Sequence, residues 1–179
     1  YAIGHGNSIL LSHSGNDVIG GTATGATNVI AASLEFGISF RGGSRDGVIQ
    51  GNYIGTNYTG QAAALHPDGV LDCDPNGSNP CGSSGNSSSG ISLATISGGG
   101  YKLPTHDFLI GGSTNGSKNI ISGNKYYGVQ NVDGIVLHDQ TYNVTIQGNN
   151  IGVGVNNTTA VPNDDDGIPD IDLEGTRRF

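Results

Sequence analysis

Arg41, Arg45 and Asp46 are the residues of this 179-residue sequence whose types and spacing best suit chemistry. A base, often Arg or Lys, set beside a calcium-bound uronate serves elimination in an acidic polysaccharide, and these are the only basic candidates on an expected strand and its turn. Together with Asp68 they would line a groove along one sheet. At the corresponding places of an internal repeat stand His138, Tyr142 and Asn143. The difference fits a specialised site and a variable surface equally.

Other residues suggest metal, redox and glycan chemistry. Asp72, Asp74, Asn76 and Gly77 have the D-x-D-x-N-G spacing that opens a calcium loop, but Ser83 stands where the bidentate Glu is needed. A second acidic cluster, Asp164, Asp165, Asp166, Asp170 and Asp172, resembles aspartate-rich calcium repeats and also reads as the turn before a strand. Cys73 and Cys81 lack paired C-x2-C spacing, so a local disulfide clipping a surface loop is expected over zinc, and with it an oxidising compartment. N-x-[ST] sequons begin at Asn57, Asn76, Asn86, Asn115, Asn143, Asn156 and Asn157, an excess over chance that predicts a glycoprotein, although Asn-rich turns inflate the number. Gly4-His5-Gly6 matches one fragment of a hydrolase motif without the carboxylates that motif requires. His13, His66, His106 and His138 have no metal-ligand spacing and read as exposed turn residues. Tyr126 and Tyr127 beside a short insertion offer a sugar-binding rim or ordinary packing.

These residues need a scaffold, and composition indicates which. Ile and Val number 28 against 10 Leu, Glu and Lys are 2 and 3, and Gly reaches 32, so pleated strands joined by tight turns are favoured over helices. The fold class read here is all-β. The net charge of −8 with scattered bases leaves no basic face for a polyanion, so no nucleic-acid partner is expected. Every apolar run is interrupted well short of a membrane span. The opening at Tyr1 without a leader reads as a processed or truncated start.

The pattern is repetitive. VIGGTATGATNVIAAS (18–33) recurs as LIGGSTNGSKNIISGN (109–124), a shift of 91, and GISFRGGSRDGVIQGNYIG (37–55) recurs as GIVLHDQTYNVTIQGNNIG (134–152), a shift of 97. The difference places an insertion around Lys125 to Val132. Finer spacings of 29, 30, 32 and 33 separate Ile9 from Ile38, Ile19 from Ile49, Ile38 from Val70, and Ile135 from Ile168. About 30 residues with three short strands make one turn of a parallel solenoid, and roughly six such turns fit the length. Asn28, Asn52, Asn119 and Asn149 recur at fixed places, as stacked amides or as plain turn residues.

With these repeats in view, the chain resembles the secreted right-handed parallel β-helix proteins of bacteria and archaea, within the pectate-lyase-like superfold. The resemblance covers nearly everything except Cys73 to Thr105, and implies a right-handed single-stranded parallel β-helix in one domain, 1–179, with a polar disulfide-clipped insertion at about 72–105. The superfold hosts lyases, hydrolases, adhesins and fibres alike. Many members cap the first turn with an amphipathic helix, which Tyr1 to Ser14 does not provide. The expected function is an extracellular structural or cell-surface protein, a filament, surface-layer or adhesin block. It would associate with itself, with neighbouring surface proteins or with glycans. The alternative is a calcium-assisted carbohydrate-active enzyme or binding module.

Overall fold

The structure, a computed structural model, describes residues 6–64, 85–98, 101–132, 141–163 and 171–172. The chain builds three parallel sheets and visits them in rotation. The first circuit contains β1 (Ile9–Ser12), β2 (Val18–Gly20) and β3 (Val29–Ile30); the second contains β4 (Ile38–Arg41), β5 (Val48–Gln50) and β6 (Tyr53–Ile54). β7 (Ile91–Ala94) opens the third, followed by a small antiparallel hairpin, β8 (Ile96–Gly98) and β9 (Tyr101–Leu103), then β10 (His106–Gly111) and β11 (Ile120–Ile121). The fourth is β12 (Val129–Val132), β13 (Tyr142–Gln147) and β14 (Asn150–Ile151), after which β15 (Ile171–Asp172) rejoins the first sheet. The sheets run β1-β4-β7-β12-β15, β2-β5-β10-β13 and β3-β6-β11-β14. Among the described residues there is no helix, and none long and apolar enough to cross a membrane.

Register follows the inward side chains. Ile9 pairs with Ile38, Ile38 with Ile91 and Ile91 with Val129; Ile19 pairs with Ile49 and Ile49 with Ile110; Ile30 pairs with Ile54, Ile54 with Ile121 and Ile121 with Ile151. No single circuit encloses these groups, but stacking buries Ile38, Ile49, Ile54, Ile91 and Ile110 completely. Each such side chain contributes about 1.5–3 kcal/mol relative to exposure. Phe40 and Phe108 meet edge to face in the same core, ring centroids 4.6 Å apart. Gly47 makes room for Phe108, whose ring a Cβ there would overlap.

Two sequence expectations are corrected. Residues 85–94 belong to the repeat, because Ile91 and not Val70 continues the Ile38 column; the segment without a repeat partner is therefore shorter than Cys73 to Thr105. Likewise Val129, 91 residues after Ile38, takes the place expected for Ile135, and Ile171 takes that of Ile168, which moves the insertion to the stretch between β12 and β13. Val70, Ile135 and Ile168 each follow a glycine just as Ile38, Ile91 and Val129 do, so local sequence does not separate them, and the observed pairing sets the register. A Cβ on Gly37 would lie 2.7 Å from the Gly90 carbonyl oxygen, and one on Gly90 equally near that of Gly128, so each of these strands must be entered through glycine. Val70, Ile135 and Ile168 lie outside the described residues.

Candidate functional site

The bend leading into the second sheet repeats four times as Ser14-Gly15-Asn16, Ser44-Arg45-Asp46, Thr105-His106-Asp107 and Thr141-Tyr142-Asn143. The hydroxyl residue packs inside the corner. The third position is left-handed throughout, with φ of 61° at Asn16, 56° at Asp46, 60° at Asp107 and 54° at Asn143. Asn and Asp accept that geometry better than other side-chain-bearing residues. The middle position therefore faces outward, and bridges place Gly15, Arg45, His106 and Tyr142 in one column.

This column is a rib of planar polar groups. His106 and Tyr142 stack with centroids 4.7 Å apart and 2° between planes. His106 Nδ1 lies 2.6 Å from Asp107 Oδ2, and Asn143 Nδ2 donates to Asp107 Oδ1 from the next circuit. Arg45 Nε is 3.5 Å from Asp46 Oδ2, with both side chains about half exposed, so this pair adds little stability. The Asn143 hydrogen bond, and after it that of His106, hold the Asp107 carboxyl below its ordinary pKa. Because the shift is downward, ionised Asp107 favours the folded chain above the unfolded carboxyl range. That contribution is lost as pH falls through the folded value. Asn143→Ala is expected to move the Asp107 titration upward in a carbon-detected NMR experiment; an unmoved midpoint would refute this assignment.

Arg45 and Asp46 thus come together, as the sequence indicates, but Arg41 does not join them. It ends β4 on the outward side of the first sheet with Nε buried and unpartnered, and among the described residues no hydrogen bond or ion pair ties it to Arg45 or Asp46. His106 and Asp107 extend the set, and sequence reasoning missed them because they fell at the edge of the supposed insertion. Tyr142 and Asn143 share the column of Arg45 and Asp46, as the shift of 97 predicts, but His106 and Asp107 lie between the two pairs.

A second arrangement lies inside the stack. Asn28 Nδ2 donates to Asn52 Oδ1 at 2.9 Å, Asn52 Nδ2 to Asn119 Oδ1 at 3.1 Å, and Asn119 Nδ2 to Asn149 Oδ1 at 2.9 Å. Each rung from Asn52 onward also donates to a carbonyl of the preceding circuit: Ile19, Ile49 and Ile110 in turn. The repeated Asn residues form an amide ladder. A parallel ladder runs Asn86 to Asn124 to Asn163, both rungs at 2.8 Å.

That second ladder corrects one glycosylation site. Asn86 is fully buried, its amide donating to Asn124 Oδ1 and the Ile30 carbonyl, so a glycan there is incompatible with this packing. Asn115 and Asn143 are exposed. Asn57 and Asn156 cap turns through their side-chain oxygens, while Asn157 accepts from Lys118. Asn76, Cys73, Cys81, Asp68, Asp72, Asp74, Asp164, Asp166, Asp170 and His138 lie outside the described residues. Among the described residues no three His, Cys, Asp or Glu side chains gather around a metal position. Compared with protein-family models, with curated proteins and with solved structures, the chain matches none of them.

Proposed function

We propose that this chain is an extracellular structural protein, a right-handed parallel β-helix that assembles through the ends of its stack. The observation carrying this reading is the first circuit. β1, β2 and β3 are edge strands, and four large apolar side chains stand exposed on or beside them: Leu10, Val18, Val29 and Leu34. The inward Ile9 and Leu11 of the same circuit are only half buried. Unpaired strand edges with apolar neighbours recruit further strands. In this reading Cys73 and Cys81 close a disulfide, the acidic clusters at Asp72 and Asp164 hold calcium, and glycans attach on exposed turns such as the one at Asn115. Negative-stain electron microscopy of the purified chain at increasing concentration should show rods lengthening by end-on addition. Single particles of constant size at every concentration would refute the proposal.

The rib supports a second reading, a carbohydrate-active enzyme or binding module. The Arg45 guanidinium beside the His106–Tyr142 stack offers an anionic sugar a charge and a flat edge. Binding or cleavage of pectin or alginate, lost in Arg45→Ala, would favour it; inertness towards acidic polysaccharides removes it.

A further inference from the structure

The corner between the first and second sheets changes from circuit to circuit. Ser12, Arg41 and Ala94 are in register at the end of the first sheet, and Gly15, Arg45 and His106 at the start of the second. The first circuit spans the gap with His13 and Ser14, the second with Gly42, Gly43 and Ser44, and the third with a run that includes the β8–β9 hairpin. Gly42 and Gly43 are both left-handed, with φ of 62° and 81°. A Cβ on Gly43 would lie 2.7 Å from Leu103 Cβ of the hairpin, and one on Gly42 would lie 3.0 Å from His13 Cε1. The Gly-Gly step therefore sits between the hairpin on one side and the His13 ring on the other.

The donors brought together here lack acceptors. At the end of the first circuit's strand, His13 gives its N–H to the Arg41 carbonyl. The corresponding oxygen of the next circuit, that of Ala94, accepts from Thr105 Oγ1. Neither the Gly42 nor the Gly43 N–H has a partner among the described residues, although Gly42 is buried. Arg41 Nε, on the adjoining residue, is buried and unpartnered as well. His13 Nδ1 lies 2.9 Å from Ser12 Oγ, which leaves Nε2, bonded to the same Cε1, as the ring nitrogen turned to other use. The one carboxylate of the turn, Asp46, lies against Arg45. Buried donors without acceptors are costly and rare, so several in one place point to a ligand that accepts.

We infer that this corner binds a tetrahedral oxyanion, a phosphate or sulfate group, held by the Arg41 guanidinium and the Gly42 and Gly43 N–H groups with His13 at its edge. Successive backbone N–H groups in a turn form anion-binding concavities, and a guanidinium donates to two oxygens at once. A planar carboxylate satisfies the guanidinium fork alone. A tetrahedral group has oxygens left for the glycine N–H groups, which is why it is the better fit. The net charge of −8 repels anions at long range, so binding depends on these short-range donors. The site is separate from the rib, since among the described residues no hydrogen bond or ion pair ties Arg41 to Arg45 or Asp46. It stands whether or not copies of the chain assemble.

Amide NMR of the full chain tests this, with inorganic phosphate, inorganic sulfate and dextran sulfate titrated in at constant ionic strength. The Gly42 and Gly43 amide signals are expected to move saturably, and to stay in place with galacturonate or unsulfated dextran. Saturation by the inorganic ions as tight as by the polymer assigns a free ion; tighter saturation by dextran sulfate assigns an ester group on a polymer, and either upholds the site. Arg41→Gln should weaken binding at least about tenfold, the scale of a lost hydrogen bond to a charged group. Arg41→Lys should keep part of the affinity, because the charge remains while the fork is lost. Lys118→Gln removes an equal charge from an exposed turn elsewhere and should change binding by less than about twofold. The remaining amide signals report whether each variant keeps the fold. Shifts that stay linear to the highest concentration, galacturonate binding as tightly as sulfate, or equal losses in Arg41→Gln and Lys118→Gln would each overturn the assignment.

Discussion

Asn119→Leu is expected to lower the unfolding free energy by about 3–5 kcal/mol and the melting midpoint by roughly 10 °C, since each buried group left without a partner costs about 1–3 kcal/mol. Leucine matches asparagine in shape, so the core stays filled while the hydrogen bonds vanish. Asn52 then loses the acceptor for its backbone N–H and its amide, and the Ile49 carbonyl loses its donor. All of this happens in a fully buried place. Differential scanning calorimetry decides the matter: a midpoint within about 2 °C of the wild type would mean that the amides are turn decoration and not a ladder.

A comparable loss, about 3–5 kcal/mol, is expected for Gly51→Ala, with a built-in control at Gly25→Ala, for which only about 1 kcal/mol of left-handed strain is expected. Both glycines have positive φ, 69° at Gly51 and 85° at Gly25. Their surroundings differ. A methyl on Gly51 would overlap the Gly21 carbonyl oxygen and lie 2.9 Å from that of Gly116, whereas Gly25 has nothing within 4 Å. Chemical denaturation of both variants separates dihedral strain from the contact between circuits; equal losses would contradict the close stacking described here.

Much of the fold was legible because burial imposes a strict repetition. Ile9 with Ile38 and Ile19 with Ile49 are the pairs that spacing predicts, and the shift of 91 correctly aligns Ile30 with Ile121. The third circuit was hidden by its composition: residues 85–90 are Gly, Asn and Ser, which read as loop, yet Asn86 is a ladder rung and Gly90 a point of backbone contact. Gly134-Ile135 imitates Gly37-Ile38 more closely than Gly128-Val129 does, and local similarity misled where register is set by what each circuit stacks upon. The rib was half legible. Carrying the 91-residue shift three positions further back aligns Gly15-Asn16 with His106-Asp107, and the recurrence of a hydroxyl, a variable residue and Asn or Asp before each strand is the signal that finds the site. That His106 stacks on Tyr142 follows from neighbouring circuits, which no local pattern encodes.

The central claim is that whole circuits, stacked in register, continue from one copy to the next. Fibre diffraction or helical reconstruction of assembled material tests it most directly. Four circuits at about 4.8 Å per stacked strand predict an axial advance of about 19 Å per copy, with a strong 4.8 Å repeat along the rod. An axial advance unrelated to that product, or strands lying along the rod instead of across it, would contradict the account.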